Sequence, residues 1–148
     1  MVFRRSGVVL LVAIAVVCVV LAVSTIGVLG APRGSGRVNA VNVGVYLDPR
    51  CTVSCSAIDW GIIKPGGTVT QTVYVKNTGS TSVYLQLSTS SWDPVSAESA
   101  IDLSWNLRSS YRLKAGRVVR VVLSLQAASD ISGFTDFGFR VVISGVPR

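Results

Sequence analysis

The chain has 148 residues, a net charge of +7, no His, three Cys and a mean hydropathy of +0.56. That length allows one domain of ordinary size with a small appendage, and the positive hydropathy means that part of the chain lives outside water. With 14% charged residues it is neither a disordered chain nor a coiled coil, and without His it has no serine triad with His and almost no route to a catalytic zinc site.

Residues 1–6 read as a short cytoplasmic tail carrying Arg4 and Arg5. Gly7 to Gly30 follows without a charge, GVVLLVAIAVVCVVLAVSTIGVLG. As a helix this run would reach about 36 Å, enough to cross a hydrocarbon core of about 30 Å. Val is a poor helix former in water, but in lipid the backbone must satisfy its own hydrogen bonds. Three readings fit: an uncleaved signal anchor with its N-terminus inside, a signal peptide cut after Gly30, and a prepilin-like leader cut after Gly7. The run is longer than the usual signal-peptide core of about 7–15 residues, which favours the anchor. Val12 stands where many pilins carry an acidic residue. The expectation is a single-pass cell-membrane protein that contacts lipid through residues 7–30, with its C-terminal domain extracytoplasmic.

Ala31 to Arg37, APRGSGR, reads as a flexible linker. From Val38 to Arg148 the apolar period is two, predicting an extracytoplasmic β-domain over 38–148. Seven strands are expected, around Val41–Leu47, Ile58–Ile62, Val69–Val75, Val83–Leu87, Ile101–Leu107, Val119–Leu125 and Phe137–Ile143. Lys64-Pro65-Gly66-Gly67 is a turn, Asn77-Thr78-Gly79-Ser80 closes an expected hairpin, Asp93-Pro94 breaks the chain, and Val95 to Ala100 allows one helical turn. Short strands at this spacing predict an all-β, immunoglobulin-like antiparallel sandwich, with Trp60 and Trp105 in the core.

Cys18 lies in the apolar run, where an apolar site raises the thiol pKa. Cys51 and Cys55 stand C-x3-C in DPRCTVSC. A metal site would need two more ligands, and the domain has no His and no third Cys. The pair is read as a disulfide that stiffens a tight loop outside the cell, the alternative being two free thiols. No cofactor is expected.

Beyond residue 30 there are 12 basic and seven acidic residues. Arg108, Arg112, Lys114 and Arg117 cluster around one predicted hairpin with Tyr111 among them. They are a contact patch for an anionic partner such as a lipid head group, an acidic glycan or an acidic surface protein, or else a solvated hairpin tip. No nucleic-acid-binding motif is present. The acids Asp48, Asp59, Asp93, Glu98, Asp102, Asp130 and Asp136 are scattered, and only Asp59 and Asp102 would approach each other, if their strands paired. No phosphate-binding Gly loop, EF-hand spacing or N-glycosylation sequon occurs. The expectation is a protein that is not an enzyme.

The order Val43-Gly44-Val45-Tyr46-Leu47-Asp48, Cys51, Ile58-Asp59-Trp60-Gly61, Lys64-Pro65-Gly66-Gly67 and Thr72-Val73-Tyr74-Val75-Lys76-Asn77-Thr78-Gly79 continues through Leu85-Gln86-Leu87-Ser88-Thr89 and Ser91-Trp92-Asp93-Pro94. It runs on through Leu103-Ser104-Trp105-Asn106 to Phe137-Gly138-Phe139-Arg140-Val141-Val142-Ile143. This order resembles a group of small archaeal surface proteins with one N-terminal apolar segment and one immunoglobulin-like domain. The resemblance implies place and fold and brings no catalytic residue. In layout alone the chain is similar to secreted bacterial biofilm-fibre subunits. The resulting expectation is a membrane-anchored module with a structural or adhesive surface role. The alternatives are a filament subunit, pilin-like or strand-exchanged, and a binding domain for an anionic envelope component. The partners expected are membrane lipid, surface-layer or filament proteins, and further copies of the chain, with no nucleic acid.

Overall fold

The computed structural model describes residues 31–131 and 133–148. The tail expected at 1–6 and the span expected at 7–30, with its three readings, lie outside the described residues. Among the described residues no helix is long and apolar enough to cross a membrane.

Nine strands follow in order: β1 (Arg33–Val41), β2 (Gly44–Tyr46), β3 (Ala57–Ile62), β4 (Thr68–Lys76), β5 (Val83–Asp93), β6 (Ile101–Trp105), β7 (Arg112–Leu113), β8 (Val118–Ala127) and β9 (Asp136–Pro147). One helical turn, α1 (Ala97–Ala100), precedes β6. The strands form a five-stranded sheet, β3-β1-β9-β5-β7, and a four-stranded sheet, β2-β4-β8-β6. The expected all-β architecture of two sheets is therefore present.

Alternation along each strand builds the core. Val73, Val75, Val121, Leu123, Leu125, Val141 and Ile143 point inward and are buried, while Thr72, Tyr74, Arg120 and Arg140 stand on the other faces. At one end the core is aromatic. Phe139 stacks between Trp92, 4.3 Å away between ring centroids, and Trp60, 6.1 Å away, and Phe137 lies 6.2 Å from Phe139. Trp60 is buried as expected, whereas Trp105 is half-buried and packs against the core.

The structure corrects the sequence reading in several places, beginning with nine strands where seven were expected. The expected linker is not one: Arg33 to Arg37 form the first half of β1, between β3 and β9. Their Gly and Ser content reads as flexible because the inward positions, Gly34 and Gly36, bring no side chain. Those positions are small because Phe137 and the indole of Trp60 fill the space above them. The single strand expected over Val41–Leu47 is broken at Asn42, which adopts φ 61° and donates its side-chain amide to the Gly145 carbonyl at 3.2 Å. Asn tolerates this left-handed conformation, and the chain uses it to pass from one sheet to the other.

The hairpin expected at Asn77–Ser80 is a crossover, because β4 belongs to the four-stranded sheet and β5 to the five-stranded one. Asn77 is fully buried there, donating to the carbonyls of Thr81 at 2.7 Å and Leu113 at 3.0 Å and accepting from the Gly79 amide. Asp59 and Asp102 stand on strands of different sheets, β3 and β6, which do not pair. The turn at Lys64–Gly67 forms as read. The Gly67 amide donates to the Lys64 carbonyl at 2.8 Å, and Gly66 takes φ 70° after Pro65.

Among the described strands the only parallel pairing is that of the first with the last. β1 and β9 match residue for residue from Arg33–Asp136 to Val41–Ser144.

Candidate functional site

The outer face of the five-stranded sheet carries a groove of about 710 Å³. Its construction follows from strand register. In the middle row Asp59 of β3, Ser35 of β1, Gly138 of β9 and Asp93 of β5 lie side by side. One row away Arg37 and Arg140 are direct partners, with Ala57 and Ser90 at their flanks. On the opposite side Arg33 pairs with Asp136. Residues two apart on a strand share a face and stand about 7 Å apart. The small middle row is thus a floor, walled by arginines along the strands and by carboxylates across them.

The electrostatics are asymmetric. Arg33 donates to Asp59 at 2.9 Å, an exposed pair of the kind that adds little to stability. The amide of Gly61, at 2.9 Å, and then the Arg33 guanidinium hold the Asp59 carboxyl below its usual range, so it is an ionised acceptor. Among the described residues Arg37 and Arg140 make no ion pair, although like charges facing each other across a strand pair are unfavourable. Sequence reading missed this site, because its three arginines and two aspartates lie on four strands. The alternation that puts Arg37 and Arg140 on outward faces was the available signal.

The residues singled out as a contact patch do not form one hairpin. Arg108 is exposed in the loop after β6, and Arg112 is exposed on β7 opposite Tyr84. Lys114 and Arg117 are exposed at the turn before β8, where the Arg117 amide donates to the Lys114 carbonyl at 3.1 Å. β6 and β8 belong to one sheet and β7 to the other, so the segment crosses the sandwich twice. Tyr111 is half-buried against the core and is not an outward recognition ring.

Cys51 and Cys55 are unbonded, so the expected disulfide is not formed in this structure. Asp48 closes the loop instead: its carboxylate accepts from the Thr52 hydroxyl and from the amides of Thr52 and Val53, both at 2.9 Å. These bonds, the Thr52 hydroxyl first, hold the Asp48 carboxyl below its usual range. Cys55 is buried, which pushes its thiol up, and Cys51 is partly exposed with φ 57°.

Among the described residues no three His, Cys, Asp or Glu side chains gather as metal ligands would. The groove supplies cationic donors and carboxylate acceptors around a shallow floor, an arrangement suited to holding a polar ligand. Compared with known protein families and with curated protein sequences, the chain matches none.

Proposed function

We propose that this chain is a non-catalytic surface module with a structural role: an immunoglobulin-like sandwich held outside the cytoplasm by the apolar run 7–30. The observation that carries the reading is the parallel pairing of β1 with β9. β1 begins three residues after Gly30 and is hydrogen-bonded to a neighbour on each flank. Because β1 and β9 run the same way, a pull between the start of β1 and the end of β9 acts along both strands. It loads the pairs from Arg33–Asp136 to Val41–Ser144 together, in shear, instead of opening them one at a time. Resistance to such a pull is set by the unfolding rate, and this layout suits a module that carries load between a membrane and something outside it.

Two measurements test the proposal on the full chain. Protease added to intact cells should remove a C-terminal tag, and protection of that tag until the cells are opened would overturn the surface placement. Single-molecule pulling from residue 31 and Pro147 should require distinctly higher force than pulling from residue 31 and Ile62, the end of β3 beside Arg33, which opens the β1–β3 pairs one at a time. Equal forces would remove the support for a load-bearing role.

A second reading, a filament subunit formed by exchange of β1 between copies, draws on a different observation. The inward positions of β1 are Gly34, Gly36 and Val38, and the buried Nε1 of Trp60 beside Gly36 has no hydrogen-bond partner. An unmet buried donor costs about 1–3 kcal/mol, a local cost left beside Gly36 although Phe137 and Trp60 close over the β1 glycines. A purified chain that stays monomeric, with no filament on the cells that make it, would count against this reading.

A further inference from the structure

We propose that the groove over Gly138 is a binding cup for an acidic saccharide, with Arg37 and Arg140 receiving the carboxylate or sulfate and Asp59 and Asp93 receiving hydroxyl hydrogens. This stands apart from the load-bearing role and uses none of the residues at 108–117.

Shape comes first. Ser35 and Gly138 are register partners at the centre of the face, and a side chain on Gly138 would begin in ordinary contact with Ser35 atoms at 3.9 Å, so the glycine leaves the floor low without being forced by crowding. From the Arg33 row to the Arg37 row is about 13 Å, and from β3 to β5 about 14 Å, at the usual strand dimensions. That is the scale of one or two sugar rings lying flat on a sheet.

Charge decides the chemistry. Arg37 and Arg140 sit on adjacent strands, and among the described residues no acid is paired to either, so two guanidinium groups are available to one anionic group. Arginine binds a carboxylate or sulfate through paired, directional hydrogen bonds. At the ends of the middle row stand two carboxylates, Asp59 and Asp93, which would repel a simple polyanion but accept from hydroxyls. Arg33 is already held by Asp59 and shapes the wall. A ligand with one anionic group and several hydroxyls satisfies both sets of groups, whereas an acidic peptide brings a carboxylate at every residue toward Asp59 and Asp93 and has only its spaced backbone amides to donate to them. The observations therefore favour an acidic saccharide.

The test titrates the full chain in detergent with a disaccharide that carries one uronic acid and a disaccharide that carries one sulfate, a neutral disaccharide, and polyglutamate. Saturable binding is expected for at least one of the two acidic saccharides, and it should exceed that of the neutral sugar and of polyglutamate. Arg37→Gln with Arg140→Gln should weaken it about tenfold or more. Gly138→Val keeps every charge but fills the floor, and should weaken it comparably. Arg112→Gln with Arg117→Gln should leave it unchanged. On the unaltered chain, the backbone amide signals of Ser35 and Gly138 should move during the titration while those of 112–117 stay. Equal binding of polyglutamate, indifference to Gly138→Val, signals moving at 112–117 in place of Ser35 and Gly138, or no binding of either acidic saccharide would each overturn the proposal.

Discussion

The ring of Phe137 occupies the space in which a side chain on Gly34 would begin, so that a Cβ there would overlap the ring edge. Phe137 cannot swing away, because it is buried between Phe134, Trp92 and Phe139. Gly34→Ala should therefore destabilise the domain by roughly 1–3 kcal/mol, the usual cost of overpacking a closed core. Denaturant unfolding measures this. Phe137→Leu should recover part of the loss in the double variant, and a Gly34→Ala domain as stable as the parent would show that the aromatic cluster is looser than described.

Asn77 offers a second test. Its amide joins the β4–β5 crossover to the strand that carries Leu113, and the side chain is fully buried. Asn77→Ala removes three hydrogen bonds, two donated to carbonyls and one accepted from the Gly79 amide. A loss of at least about 1–3 kcal/mol is expected. Asn77→Asp keeps the shape but turns an acceptor toward two carbonyls, and should be no better than Ala.

The loop at Asp48 should respond to acid. Its carboxyl is held below the ordinary aspartate value of 3.8 by the Thr52 hydroxyl and two amides. A folded-state pKa below the unfolded one means that the contribution is full above that value and is lost as pH falls through the folded pKa. Titration followed by the carboxyl carbon signal should place Asp48 below an ordinary aspartate, and Thr52→Val should move it back toward 3.8. Loop opening below that pH should show as faster amide exchange at Thr52 and Val53.

The thiols of the described domain should differ in reactivity. Cys51 is partly exposed, whereas burial covers Cys55 and raises its pKa. In the native protein an alkylating reagent should label Cys51 quickly and Cys55 only after unfolding, because the thiolate is the reacting form. Intact mass reports this directly. A chain whose domain takes no label until a reductant is added would show a disulfide after all.

Much of the sandwich could be read before folding, and the reasons it could be read also explain what escaped. β9 alternates along its length, and β3, β4 and β8 alternate over most of theirs, so all four were visible in the sequence; β3 breaks at Gly61, which leaves Ile62 exposed and Ile63 buried. β1 escaped because its inward residues are Gly34 and Gly36, which carry no hydropathy, and β7 because a two-residue strand has no period. The groove escaped for another reason: Arg37 and Arg140 are 103 positions apart, and only the pairing of the first strand with the last brings them together.

The amino-acid order by itself determined the strand-forming character of residues 38–148, the inward set of Val, Leu, Ile and Phe, the turn at Lys64–Gly67 and the single helical turn before β6. Each depends on neighbours a few residues away. Only the tertiary structure decided that a Gly- and Ser-rich stretch is a central strand and that residues 108–117 cross between sheets. It also decided that an aspartate, not a disulfide, closes the Cys51 loop. Register between distant strands is set by how side chains pack across the whole core, and no local pattern carries that information.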